Sequence, residues 1–282
     1  MLYMDDITEL AIEPSLSVNM KTSKDYRLLT PQEYQAKQKE SPYVYTLEDD
    51  SHEQQLTYIG FHHSFDPQNP DFKVIEDEWE RFKGKTEGKR RIAFIEGGTR
   101  DGRGSRDEAI VSDGEAGLVT WLGKQDSIEV YSPEPPEDEE KNMLNKKYGK
   151  NLVDLYDFCR SADQYNRLLP GKRKEMSFRE YALRNSSEDN YDSVVNDYKS
   201  ITGRDFSLED TDYIHELTNP HPLPESKSTV INQIARDSGD FRDQWILSEI
   251  DMHWGEGDSM FIVYGSRHAL AQEAAVREIT QQ

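Results

Sequence analysis

A single cysteine, Cys159, occurs among the 282 residues. No intramolecular disulfide can therefore form, and no cage of cysteine thiolates can hold zinc. Cys159 falls in the apolar spacing Leu152, Leu155, Tyr156, Cys159, where a small buried hydrophobe is the expected role. Long hydrophobic runs are missing as well: no stretch approaches the ~20 apolar residues of a membrane-spanning helix. The first ten residues carry Asp5, Asp6 and Glu9 in place of the basic start and apolar core of a secretory signal, so a cytoplasmic location is expected. Bases are scarce, with 34 Lys and Arg against 55 Asp and Glu and a formal charge of −21. Nucleic acids and anionic bilayers are both held by an excess of Lys and Arg, so neither is an expected partner. What such a surface supplies is solubility. Hydrophobic residues make up only 34% of the chain and the mean hydropathy is −0.90, which implies a modest core and much solvated surface.

Against these absences stands one repeated pattern. Leu56–Ile59 is followed by Gly60-Phe61-His62-His63, and Met260–Tyr264 is followed by Gly265-Ser266-Arg267-His268. Each reads as a buried strand ending in a glycine turn that delivers a histidine three residues later. One such spacing can arise by chance in a chain with 17 Gly and 7 His, but two copies at strand ends are not so easily dismissed. His62 and His63 are adjacent and point apart, and the register set by Gly60 favours His63.

Residues 1–40 are polar and irregular and read as an N-terminal arm. Residues 41–282 read as one α/β domain: a central mixed, mostly parallel sheet flanked by helices, with a helical insertion at about 137–225. Residues 42–47 and 56–59 form a hairpin around Asp49-Asp50-Ser51. Phe72, Ile75, Trp79 and Phe82 are spaced for a helix. Residues 91–95 form the next strand and end at Glu96-Gly97-Gly98, so strand, helix and strand make a parallel βαβ unit. Residues 99–107 are a basic, glycine-rich loop with Arg100, Arg103 and Arg106. A helix broken near Gly114 follows, then a strand over 127–131 that Pro133, Pro135 and Pro136 close. In the insertion, Ser187 is a cap, Ser207 to Asp210 is a capping box, and Pro220, Pro222 and Pro224 end the segment. A long helix over 228–253, interrupted at Ser238-Gly239, leads to the last strand (259–264) and a terminal helix over 269–279.

In a mostly parallel sheet the carboxyl ends of the strands share one rim, where ligands gather. His63, Glu96, Glu134 and His268 all follow strand ends. Two imidazoles and a carboxylate can hold a divalent transition metal with positions left for water. The same groups can act without metal, a histidine serving as general base and Arg100 stabilising an oxyanion. Glu134 sits beside the acidic run of Glu137, Asp138, Glu139 and Glu140, which reads as a solvated face. His52, His215, His221 and His253 match no spacing and read as structural or surface residues.

The ordered set of Gly60-x-x-His63, Glu96 with Arg100, and Gly265-x-x-His268 resembles the TraB/ChaN/Tiki superfamily, which includes the erythromycin esterases. Phe241-Arg242-Asp243 is similar to the family's Glu-Arg-Asn/Asp segment; Phe241 replaces the acid, so Arg242 carries over without that partner. The resemblance covers residues 56–136 and 235–282. It implies hydrolysis, with chemistry that differs among members: metal-dependent proteolysis with manganese or cobalt, ester hydrolysis by a histidine base, or haem and iron binding.

The leading expectation is a metal-dependent hydrolase of peptide or amide bonds, acting on a peptide or small-molecule substrate. His63, Glu96 and His268 hold the metal (manganese or cobalt, with zinc as an alternative), and Arg100 and Arg242 bind substrate carboxylate or the oxyanion. The second is a metal-independent esterase with His63 or His268 as base. The third is a non-catalytic binder of haem, metal or a partner, with Tyr131 and Tyr264 as haem ligands.

Overall fold

The computed structural model describes residues 24–37, 41–102, 104–168, 173, 175–185, 191–222 and 228–281. Residues 1–23 and 38–40 of the expected arm, and also Arg103, Ser187 and Pro224, lie outside the described residues.

The apolar runs become five strands: β1 (Tyr43–Asp49), β2 (Gln54–Phe61), β3 (Arg91–Ile95), β4 (Glu129–Tyr131) and β5 (Ser259–Gly265). They form one sheet in the order β1-β2-β5-β3-β4. β1 pairs with β2 antiparallel, and the β2–β5, β5–β3 and β3–β4 pairs are all parallel. The chain's last strand is thus its central one. β5 is buried along its whole length, as an unbroken apolar run requires of a strand covered on both faces.

Alternation along β5 divides the core in two. Met260, Ile262 and Tyr264 face one layer, with Ile246, Leu247, Ile250 and Trp254 of α9 (Val230–Gly255) and Ala269 and Val276 of α10 (Ser266–Ile279). Phe261 and Val263 face the other, with Phe72, Ile75, Trp79 and Phe82 of α2 (Asp71–Lys85) and Ile110, Leu118 and Val119 of α3 (Arg106–Asp126). The N-terminal segment joins the first layer through the Leu29 amide, which donates to the Ala271 carbonyl, and the short α1 (Pro31–Ala36) follows it.

The insertion is α4 (Glu137–Tyr148), α5 (Lys150–Arg167), α6 (Phe178–Asn185), α7 (Tyr191–Thr202) and α8 (Thr211–Thr218). Its helices enclose a third cluster, including Leu155, Phe158, Cys159, Tyr198 and Ile214, to which the first turns of α9 add Ile231, Ile234 and Ala235. α9 is therefore shared, its N-terminal half packed on the insertion and its C-terminal half on the sheet.

Two expected breaks turn out differently. α3 is kinked at Asp113 and Gly114, where Gly114 has φ 58°, in line with the sequence. α9 runs unbroken through Ser238-Gly239. A Cβ on Gly239 would lie 2.8 Å from an Arg267 guanidinium nitrogen, so this glycine makes room for a side chain rather than ending a helix. Likewise, Gly60 lies inside β2, not in a turn. A Cβ there would lie 2.7 Å from the Ala269 Cβ, so its role is close approach between β2 and α10.

Candidate functional site

Because four strands are parallel, the segments after β2, β3, β4 and β5 leave the sheet on one rim. They deliver His63, Glu96 and Glu134, while His268 sits in the first turn of α10 directly after β5. At the centre is the Glu96 carboxylate. Its Oε2 accepts the Gly265 amide at 2.8 Å and lies 3.8 Å from His63 Nε2. Its Oε1 lies 3.6 Å from His268 Nε2 and 3.5 Å from Arg242. A Cβ on Gly265 would lie 3.2 Å from Glu96 Oε2 and 3.3 Å from His63 Nε2. Glycine is thus the floor on which both groups rest.

Each imidazole is held from behind by a carboxylate. His63 Nδ1 bonds Glu115 Oε1, and the kink at Asp113-Gly114 is what turns Glu115 toward it. Gly114 also lets the histidine loop approach, since a Cβ there would lie 2.8 Å from the Ser64 carbonyl oxygen. His268 Nδ1 bonds Asp243 Oδ1 at 2.5 Å. Asp243 also accepts from Gln272 at 2.7 Å, and Gln272 in turn accepts from the Tyr58 hydroxyl at 2.8 Å. Both rings therefore present Nε2 to Glu96 with the opposite nitrogen fixed.

The two environments differ. The His63 side chain is 46% exposed and that of His268 only 5%. The hydrogen bond to Glu115 pushes the His63 pKa up to about 9, against burial and against the charge of Arg167. Burial works against ionisation of Glu96, but His268 once protonated, Arg242, His63 and the Gly265 amide outweigh it and hold this carboxyl well below its ordinary range. Burial likewise opposes the Asp243 charge, and His268 once protonated, the hydrogen bond from His268, and Arg267 overcome it, so its pKa is lowered.

Arg267 Nη2 lies 3.2 Å from His268 Nε2. A guanidinium can only donate, so in this contact Nε2 is the acceptor. Arg242 is clamped by Glu134, with Nε to Oε2 at 3.0 Å and Nη2 to Oε1 at 3.1 Å. Burial opposes its charge, and Glu134 and Glu96 more than restore it, so its pKa is raised well above the ordinary value.

Of the expected residues, His63, Glu96, His268 and Arg242 are brought together. Arg100 stands at the margin: its guanidinium folds over Gly97, where a Cβ would lie 2.9 Å from it, and its Nε is 3.5 Å from Asp113. Glu134, read from the sequence as part of a solvated acidic face, is the partner that Arg242 was expected to lack. Glu115 and Arg267 had no signal in the sequence beyond the Gly114 break and the Gly239 slot. Asp243 lay in the resembling segment without an assigned role.

As their side chains stand, His63, Glu96 and His268 do not make a compact ligand group for the expected metal. One ligand atom from each does not fall within 4.8 Å of the other two; among the described residues that condition is met by His253, Glu256 and Asp258. That second group lies at the other end of the sheet, where Arg90 already pairs with Asp258 at 3.0 Å. At the rim, Arg267 lies against His268 Nε2 and Arg242 against Glu96 Oε1, two of the atoms a cation would need. Of the two expected haem ligands, Tyr264 is fully buried, with no hydrogen-bond partner for its hydroxyl among the described residues, and Tyr131 is partly exposed.

In comparisons with protein-family models, curated proteins and solved structures, nothing matches this chain. No described helix is long and apolar enough to cross a membrane.

Proposed function

We propose that the protein is a hydrolase that opens ester or amide bonds by histidine acid–base chemistry. The observation that carries this reading is the pair of imidazoles, each with Nδ1 fixed by a carboxylate and Nε2 turned to Glu96 at 3.8 and 3.6 Å. Paired imidazoles in different settings, one half-exposed and one buried, suit a reaction that needs one proton taken and another given.

In the proposed reaction a water molecule, oriented by Glu96, attacks the substrate carbonyl carbon and gives its proton to His268 Nε2. Arg267, already beside that nitrogen, releases it and donates to the oxyanion of the tetrahedral intermediate. His63 is cationic at neutral pH because Glu115 holds its proton. It gives the Nε2 proton to the leaving alkoxide or amine as the carbon–heteroatom bond breaks. Proton exchange with solvent returns His63 to its charged form and His268 to its neutral one. Arg242, clamped by Glu134, keeps Glu96 charged.

A metal-dependent peptidase remains a second reading for one reason: carboxylate–imidazole pairs also orient metal ligands. It requires Arg267 and Arg242 to withdraw. The two are separated by assaying a panel of alkyl esters and acyl anilides alongside elemental analysis of the purified chain. Hydrolysis by metal-free protein, lost in His268→Ala, supports the first reading. Stoichiometric manganese, cobalt or zinc that disappears in His63→Ala and His268→Ala supports the second. Absence of hydrolysis across the panel contradicts both.

A further inference from the structure

A cavity of about 150 Å³ lies between α4 and α5, lined in part by Glu140, Lys141, Asp157, Arg160, Ser161 and Gln164. Its place in the chain sets it beside the rim. α4 starts three residues after Glu134, the clamp of Arg242, and α5 ends at Arg167, whose charge reaches His63. Glu140 ties the cavity wall to α9: its Oε1 accepts from the Ser238 hydroxyl at 2.5 Å, one turn before Arg242. A substrate whose scissile bond lies at Glu96 can therefore extend its other end between these two helices.

The polar groups of the lining are not equally engaged. Asp157 is paired with Lys141 at 3.0 Å, and Glu140 is held by Ser238. The Tyr181 hydroxyl donates to Gln164 Oε1 at 3.5 Å, leaving the amide N–H groups of Gln164 as donors. Arg160, half-buried, makes no ion pair or hydrogen bond with another described residue. The carboxylates of this cavity thus have partners, whereas the unspent capacity is that of donors: a guanidinium fork, an amide and the buried Ser161 hydroxyl. A guanidinium with a free planar fork matches a carboxylate or a phosphate in two parallel bonds.

We propose that the α4–α5 cavity is an anion subsite, in which Arg160, assisted by Gln164 and Ser161, binds a carboxylate or phosphate group of the substrate away from the bond that is cut. The subsite itself stands on the cavity and its donors; its part in substrate choice rests on the hydrolase reading above. It narrows that reading to esters or amides that carry a negative group beyond the acyl carbon.

The test uses the full chain and two readouts. In isothermal calorimetry, succinate and inorganic phosphate serve as probes for wild type, Arg160→Gln and Arg160→Lys, with thermal unfolding to verify that each variant folds. One-to-one binding of either anion, weakened about tenfold in Arg160→Gln and less in Arg160→Lys, is expected for the loss of one charge-assisted contact. The tighter of the two anions identifies the source as carboxylate or phosphate. In the second readout, the ratio of kcat/KM for 4-nitrophenyl hemisuccinate over 4-nitrophenyl acetate should fall about tenfold in Arg160→Gln, through KM. Failure of both anions to bind, or equal binding by Arg160→Gln, overturns the subsite. Arg160-dependent binding without cleavage of either ester keeps the subsite and contradicts the hydrolase reading.

Discussion

The two Gly-x-x-His segments share a spacing and reach the same carboxylate, yet they build different sites. The first lies on a loop, and its histidine is half-exposed and leans on a carboxylate brought in by a kinked helix. The second lies in the first turn of a helix. Its histidine is buried and rests on Asp243, Gln272 and Tyr58, a chain of hydrogen bonds inside the core. The difference teaches that sequence spacing selects where a group arrives, while the element behind it decides which proton it carries. His63 is placed to give a proton and His268 to take one.

Breaking either half tests that division. The largest expected effect is on His268→Ala, with kcat/KM lowered by about 10²–10⁴-fold on every ester, because removal of the water proton is needed whatever the leaving group. His63→Ala should show a comparable loss on alkyl esters and anilides but little on 4-nitrophenyl esters, since nitrophenolate departs without a proton. Equal losses on both substrate types would contradict the general-acid role.

Glu115→Gln should have the next largest effect. With its strongest partner gone, the His63 pKa falls from about 9 towards the ordinary histidine value. The acid form is present below the folded pKa and lost above it, so the alkaline limb of the pH–rate profile should move down by the same interval. Stability follows the same sign. A raised pKa stabilises the wild type below about 6.5 and loses that contribution as pH rises through about 9. Glu115→Gln should flatten this slope in thermal unfolding measured from pH 6 to 10.

Smaller effects belong to the glycines. Gly265→Ala places a methyl against Glu96 and His63 and should reduce kcat by roughly tenfold, as a misplacement well under an ångström does. Gly239→Ala presses on the Arg267 guanidinium, which can shift, so a loss of only a few-fold is expected, again in kcat.

How much of this was legible in the sequence follows from range. Apolar runs marked β2, β3 and β5, because a strand buried on both faces must be apolar throughout, whereas β4, with Glu129 and Tyr131 exposed, was marked by the prolines behind it. Parallel pairing then put His63, Glu96 and His268 on one rim. The partners behind them could not be read so directly. Glu134 meets Arg242 across 108 residues and Glu115 meets His63 across 52, and no local pattern encodes such pairs. Gly239 shows the other failure. Local propensity reads a helix-interior glycine as a break, whereas here tertiary packing uses the missing Cβ to seat Arg267. Glu134 departs from its acidic neighbourhood for a related reason: composition describes the face a segment exposes, not the residues in it that turn inward.

The account is tested most directly by the pH–rate profile of exhaustively chelated protein on an unactivated alkyl ester, compared with that of His63→Ala. Hydrolysis that persists without metal, with an alkaline limb near pH 9 that is absent from His63→Ala, is the expected result. Activity that vanishes on chelation and returns with manganese or cobalt would contradict it.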